Sequence, residues 1–255
     1  MSETDYYGTK SNEYVRSALN VRHNSIKSFL YRKYCGKRHL DIAAGRGGDI
    51  HKIAGTKCTD LWMSDVDADA INELVRRWMM LVKQKKWVQL PTLTPIVVPA
   101  DYYSTAGRGY TDPVPSSLDS IFVMFAVHYL CPAASEMKAF LSYVASKLAV
   151  GGHFCVTLLD GKRTREALPI AGDGYELKEN DERGVSVTMP SIGKAHNEPL
   201  IDIDAFVAAA EAAGLVLQER ANFDDFRVVN GGIETLAAIE RTISALNVAL
   251  VFRLG

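Results

Sequence analysis

The stretch from His39 to Asp49 (His-Leu-Asp-Ile-Ala-Ala-Gly-Arg-Gly-Gly-Asp) constrains the fold of this chain more than any other segment. Its apolar start reads as a short buried strand, its glycines as a tight turn, and a helix is expected from about Asp49 to Ala54. A strand feeding a glycine turn and then a helix is the corner at which open α/β sheets bind nucleotides. Glycine lets backbone approach a ligand closely, and the following helix start offers free N–H groups. The dinucleotide fingerprint G-x-G-x-x-G is not completed, because Gly45-x-Gly47-Gly48 is followed by Asp49 and Ile50. The Gly-Lys-Ser/Thr ending of a P-loop is absent too. Asp65 follows Gly45 by 20 positions, at the end of the next expected strand, where a carboxylate can hold ribose hydroxyls.

From His39 onward, strand-like and helix-like segments alternate. Strands are expected at 60–64, 95–99, 118–127, 153–159, 215–218 and 248–254, and helices at 68–85, 135–148, 204–213 and about 233–246. Ile71, Leu74, Val75, Trp78, Leu81 and Val82 recur at a helical period, and Leu118 to Val127 is almost wholly apolar, as a central parallel strand is. Such alternation implies right-handed βαβ units and a twisted parallel sheet with helices on both faces. Residues 1–38 precede the first strand and read as an N-terminal helical appendage. Residues 161–199 have weak periodicity and many turn residues, and read as an insertion on the substrate side. One domain over residues 1–255 is the expected organisation.

Composition narrows the class. The longest apolar run, Ile121 to Val127, has seven residues, far short of a membrane span, and the polar start Met1-Ser-Glu-Thr-Asp5 carries no signal-peptide pattern. Cys35, Cys58, Cys131 and Cys155 lie at least 23 residues apart, which is no zinc pattern and suits reduced thiols, so an intracellular protein without a metal is expected. The formal charge is only −1, yet residues 1–58 hold eleven Lys and Arg against five Asp and Glu. That excess is either a solvated face or the footprint of a polyanion.

The turn around Gly45, with Asp65 and with Asp101 after the third expected strand, resembles motif I and its partners in the S-adenosylmethionine-dependent methyltransferases. The resemblance implies the class I, Rossmann-like fold with a mostly parallel seven-stranded sheet. It places Asp65 on the ribose and Asp101 on the adenine amino group of the donor. No Asp/Asn-Pro-Pro-aromatic tetrapeptide follows the fourth strand, and Cys131-Pro132 has the order opposite to the Pro-Cys of the cytosine-C5 enzymes.

Five ordered blocks narrow the resemblance further. They are Asn24-Ser-Ile-Lys27, Asp41 through Asp49, Asp65 through Ile71, Phe125-Ala-Val-His-Tyr129 and Leu158-Leu-Asp-Gly161. From about Asn20 to the C-terminus the chain is similar to the mRNA cap guanine-N7 methyltransferases, in a viral or protist-like form. The resemblance implies methyl transfer from S-adenosylmethionine to N7 of the guanosine in 5′-capped mRNA. His128, Tyr129 and Glu198 would be the catalytic group. Lys27, Gly45, Asp49, Asp65, Asp101 and Phe125 would face the donor, and Asn24 and Arg46 would join His128, Tyr129 and Glu198 on the cap. His23, His51, His153 and His196 are read as structural.

Guanine N7 carries an available lone pair, so in-line attack on a sulfonium methyl needs no general base, and positioning can carry the catalysis. Departures from the family pattern are Met124 in place of a Gln, Arg46 where Lys is common, Ala44 before Gly45, and Ala249 where the family has a cap-facing Tyr. Stacking on the guanine would then come from Tyr175, Phe223, Tyr6 or Tyr7. Competing readings are a methyltransferase on another RNA or a small molecule, and a non-catalytic subunit of a capping complex. The partners implied are capped RNA and other capping-enzyme domains or a stimulatory subunit, in nucleus, cytoplasm or viral factory.

Overall fold

The computed structural model describes residues 17–84, 89–105, 109–180, 184–190 and 195–255. Its main sheet contains β1 (Arg38–Ile42), β2 (Asp60–Asp65), β3 (Thr92–Val97), β4 (Leu118–Met124), β5 (Leu148–Leu159), β10 (Leu215–Asn222) and β11 (Asn247–Leu254), in the order β10-β11-β5-β4-β1-β2-β3. The five strands β5, β4, β1, β2 and β3 are mutually parallel, while β11 runs antiparallel between β5 and β10. This is the expected mostly parallel seven-stranded sheet.

Both faces are covered because side chains alternate along each strand. Leu40 and Ile42 of β1, Ile121 and Val123 of β4, and Val248, Leu250 and Phe252 of β11 point to one layer. There they meet α5 (Ala134–Lys147) and α7 (Ile203–Ala212) through Phe140, Leu141, Val144, Phe206 and Ala210. Leu61 and Met63 of β2, Phe122 of β4 and Val251 of β11 point the other way. That layer is closed by α1 (Ala18–Tyr34), α2 (Ile50–Ala54) and α3 (Ala68–Lys83), with Ile26, Leu30, Tyr31, Ile50, Ile53, Ile71 and Leu74 buried. Each such side chain contributes roughly 1.5–3 kcal/mol by leaving water.

Several expected boundaries move. β3 starts at Thr92 and contains Pro95, which is tolerated because β3 is an edge strand and needs no second ladder. β4 ends at Met124 rather than Val127, since Phe125 takes a left-handed φ of 61° and breaks the ladder. His128 therefore sits in the one-turn helix α4 (Val127–Leu130), not on a strand. Gly151-Gly152 does not separate helix from strand: α5 already ends at Lys147, and both glycines lie within β5, where a Cβ on Gly152 would come 2.9 Å from the Leu118 carbonyl oxygen. The last helix, α8 (Ala238–Ala245), is shorter than expected, and β10 runs on to Asn222.

The insertion is regular. After α6 (Gly161–Ala167) come β6 (Ile170–Gly172), β7 (Tyr175–Glu179), β8 (Val185–Thr188) and β9 (His196–Glu198), an antiparallel four-stranded sheet in chain order. Strands of three to five residues are too short to show a period in the sequence. Buried Glu240 ties this sheet to both helical ends: it accepts from the Tyr175 hydroxyl at 2.9 Å and from the backbone N–H of Leu19 at 3.2 Å. Among the described residues no helix is long and apolar enough to cross a membrane, and no group of three His, Cys, Asp or Glu side chains could hold a metal ion.

Candidate active site

The carboxyl ends of β1, β2, β3 and β4 and the α1 helix converge on one rim. At the end of β1, Ala43, Gly45 and Gly47 all have positive φ, of 56°, 53° and 71°. Gly47 is obligatory, because a Cβ there would lie 2.9 Å from Leu74 Cγ as well as straining the backbone. The turn is fastened to β2: the Gly45 N–H donates to Asp65 Oδ2 at 2.7 Å, and the Asp67 N–H donates to Asp65 Oδ1 at 3.0 Å. Burial pushes the Asp65 carboxyl up from its ordinary value, partly offset by these N–H donors. A carboxylate has about four acceptor positions, so both oxygens retain capacity for hydroxyl donors.

Beneath the turn lies a charged cluster. Asp49 Oδ2 receives Lys27 Nζ at 2.8 Å and Asp49 Oδ1 receives Lys52 Nζ at 2.5 Å. Burial alone would raise the Asp49 pKa, but the two lysines outweigh it and hold the carboxyl below the usual range. Asp41 is buried behind it, accepts from the Tyr31 hydroxyl at 3.1 Å, and is lifted to about 7 by burial and by the charge of Asp49. Lys52 had no role in the sequence reading. Its spacing of three from Asp49 on a helix start is the signal that could have found it.

Lys27 also stands 5.9 Å from the centre of the Phe125 ring, on whose face His23 stacks at 5.4 Å with 19° between planes. His23, read as structural, is thus a wall of the same site, and burial drops its pKa to about 3. The strained Phe125 backbone is held by Thr157, whose carbonyl oxygen and hydroxyl accept from the Phe125 N–H at 3.0 and 3.1 Å.

The next turn brings together His128, from α4, and Glu198, from the insertion sheet. His128 Nε2 lies 3.8 Å from Glu198 Oε2, and the Tyr129 ring centre is 4.0 Å from that of His128. The spacing is within ion-pair range, but burial takes His128 down to about 3 and Glu198 up to about 7, so the imidazole is uncharged and the carboxyl titrates near neutral pH.

The other expected residues take less enclosed places. Asn24 is exposed on α1 and donates to the Asn20 carbonyl at 2.8 Å, and Arg46 is half-buried in the glycine turn. Asp101 is exposed beyond β3, accepting from the Tyr110 hydroxyl at 2.9 Å. Part of the basic excess of residues 1–58 is paired within the described residues. Lys27 and Lys52 hold Asp49, Lys33 holds Glu219 at 2.8 Å, and Arg22 is buried with its guanidinium on the carbonyls of Phe223, Phe226 and Gly231. Tyr175 and Phe223, offered for stacking, are both buried, and Tyr6 and Tyr7 lie outside the described residues. Ala249 is buried in β11 opposite Thr157 and Ala221.

Residues 9–181 match the family model of the mRNA (guanine-N(7))-methyltransferase domain. The chain belongs to that family. Among curated relatives, the mRNA cap guanine-N(7) methyltransferase of Eremothecium gossypii is 23% identical over 174 residues, covering 66% of this chain and 39% of the relative. That of Drosophila melanogaster is 25% identical over 233 residues, covering 80% of this chain and 54% of the relative. The chain thus spans well under two thirds of these relatives. A putative S-adenosylmethionine-dependent methyltransferase from Listeria monocytogenes superposes with a TM-score of 0.63 at 11% identity, covering 94% of this chain and 100% of that one. The fold is therefore that of the class I methyltransferases, and family and fold together imply S-adenosylmethionine as methyl donor. The residues present fit such a donor: a glycine turn with no room for a side chain at Gly47, and an Asp65 carboxylate with spare acceptor positions. Glu198 lies beyond the stretch that the cap methyltransferase family model matches.

Proposed function

We propose that this chain methylates N7 of the guanosine cap of 5′-capped mRNA. The carrying observation is the buried His128–Glu198 pair, 3.8 Å apart and contributed by the turn after β4 and by the insertion sheet. S-adenosylmethionine supplies an electrophilic methyl group when bound. Asp65 would hold the ribose, Asp101 the adenine amino group, and Lys27, Gly45, Asp49 and Phe125 the remainder of the donor side.

On the acceptor side, Glu198 is a buried acceptor awaiting donors, and the guanine N1–H and 2-amino group are two donors in line. Binding them returns to the carboxylate the hydrogen bonds that burial removed, and so favours its ionised form. Neutral His128 and Tyr129 complete the walls around the base, and Asn24 and Arg46 would face the triphosphate. The attacking nitrogen carries no proton to remove. In-line orientation and a fixed field then account for rate, which is why the site needs no nucleophile–base pair. The partners of this reading are capped RNA, with other capping-enzyme domains or a stimulatory subunit, in nucleus or cytoplasm.

Incubation with labelled donor and GpppA or GpppG, followed by nucleoside analysis, tests the reading. N7-methylguanosine is expected. Methyl on a ribose oxygen or another base would move the chain to a different RNA substrate, and donor binding without any transfer would make it a non-catalytic subunit.

A further inference from the structure

A second cleft opens between α6 and α8, with a volume of about 440 Å³ and with Arg163, Glu166, Arg241, Thr242 and Leu246 in its lining. None of these residues belongs to the site described above. Arg163 Nη1 is buried and has no hydrogen-bond partner among the described residues. A buried guanidinium nitrogen without an acceptor is costly, so this side chain gains from an acceptor that approaches through the cleft.

The charge around the cleft is predominantly positive. The seven residues of α6 hold Lys162, Arg163 and Arg165 against Glu166, and α8 adds Arg241. Glu240 of α8 does not offset them, because it is buried and already receives the Leu19 N–H, the Tyr175 hydroxyl and the Ala237 N–H. In a chain of formal charge −1 this is a local cationic concentration. The planar guanidinium fork can bind two oxygens of a phosphate at once.

Topology puts the cleft on the same rim as the candidate active site. α6 leaves the end of β5, α8 leads into the start of β11, and the two junctions are joined by Leu159 opposite Asn247 and by the Asp160 N–H on the Leu246 carbonyl at 2.8 Å. Thr157, two residues before Leu159 on β5, holds Phe125. The cleft and the turn that carries His128 thus lie on one rim of the sheet.

We propose that the α6–α8 cleft binds a backbone phosphate of the RNA downstream of the cap, through Arg163 and Arg241. The choice of RNA rests on the function proposed above; the anion site itself does not. The test is fluorescence anisotropy of a labelled, uncapped ten-nucleotide RNA against the full chain, the Arg163→Gln/Arg241→Gln variant, and Lys83→Gln as a surface control, with melting temperatures confirming the fold. The double variant should bind about tenfold or more weakly. Its log–log salt slope should be shallower by about 0.7, the value for one phosphate contact on a single strand. Wild-type affinity and slope in the double variant would overturn the proposal. So would stabilisation by inorganic pyrophosphate that the double variant loses while its RNA affinity stays intact, which would mark a small-anion site. If cap analogues are not methylated but the RNA arm responds as expected, the functional reading fails and the phosphate site stands.

Discussion

Replacing Glu198 by Gln should abolish this site's contribution to the pH dependence of stability. The Glu198 side chain is only 14% exposed, and burial raises its carboxyl from 4.5 to about 7. In the folded protein it keeps a proton that the unfolded chain releases above pH 4.5. Its contribution is thus fully present below that value and is lost as pH climbs to about 7. At about 1.36 kcal/mol per unit, the whole loss is about 3 kcal/mol. Gln carries no proton to release, so Glu198→Gln should gain about 2.5 kcal/mol over wild type between pH 5 and pH 8.5. Asp41, also lifted to about 7, titrates in both proteins and cancels from the difference. His128, held near 3, stays neutral throughout. Urea denaturation followed by tryptophan fluorescence at the two pH values measures the quantity. Activity on GpppA should move oppositely, rising through pH 7 in wild type and falling at least tenfold in the variant, whose amide presents donors to the guanine donors. A stability difference that does not change between pH 5 and 8.5 would refute the buried, protonated Glu198.

Asp65→Ala removes the acceptor that fastens Gly45 and should weaken S-adenosylhomocysteine binding by at least tenfold in calorimetry; wild-type affinity would remove the ribose assignment. His128→Ala should depress turnover on cap analogues while leaving donor affinity within about twofold, since its neighbours in the site are Glu198 and Tyr129. Arg22→Ala frees three buried carbonyls and should lower unfolding stability by about 3 kcal/mol, with Arg22→Lys giving only partial rescue in the same denaturation assay.

Strands and helices from β1 to β5 could be read from the chain because long apolar runs and helical periods report burial directly. The insertion could not, because three-residue strands such as β6 and β9 owe their existence to the neighbours they pair with. Histidine is ambiguous in the same way. Nothing local separates His23, stacked on Phe125 and walling the site, from a core histidine, and only the packing of α1 against the β4 turn makes the distinction. Charge is read from composition, but which basic groups of residues 1–58 are paired internally is not: Arg22, Lys27 and Lys52 have internal partners.

By itself the sequence determined the glycine turn, the carboxylate 20 residues after it and the family blocks, since these depend on residue identity and short spacing alone. Tertiary structure alone decided that Glu198 comes to 3.8 Å from His128, 70 residues earlier in the chain. It also decided that burial lowers the proton affinity of His128 and raises that of Glu198, and that Arg163 and Arg241 share a cleft. Proton affinity and unmet hydrogen bonds are properties of surroundings, and surroundings exist only once the chain has folded.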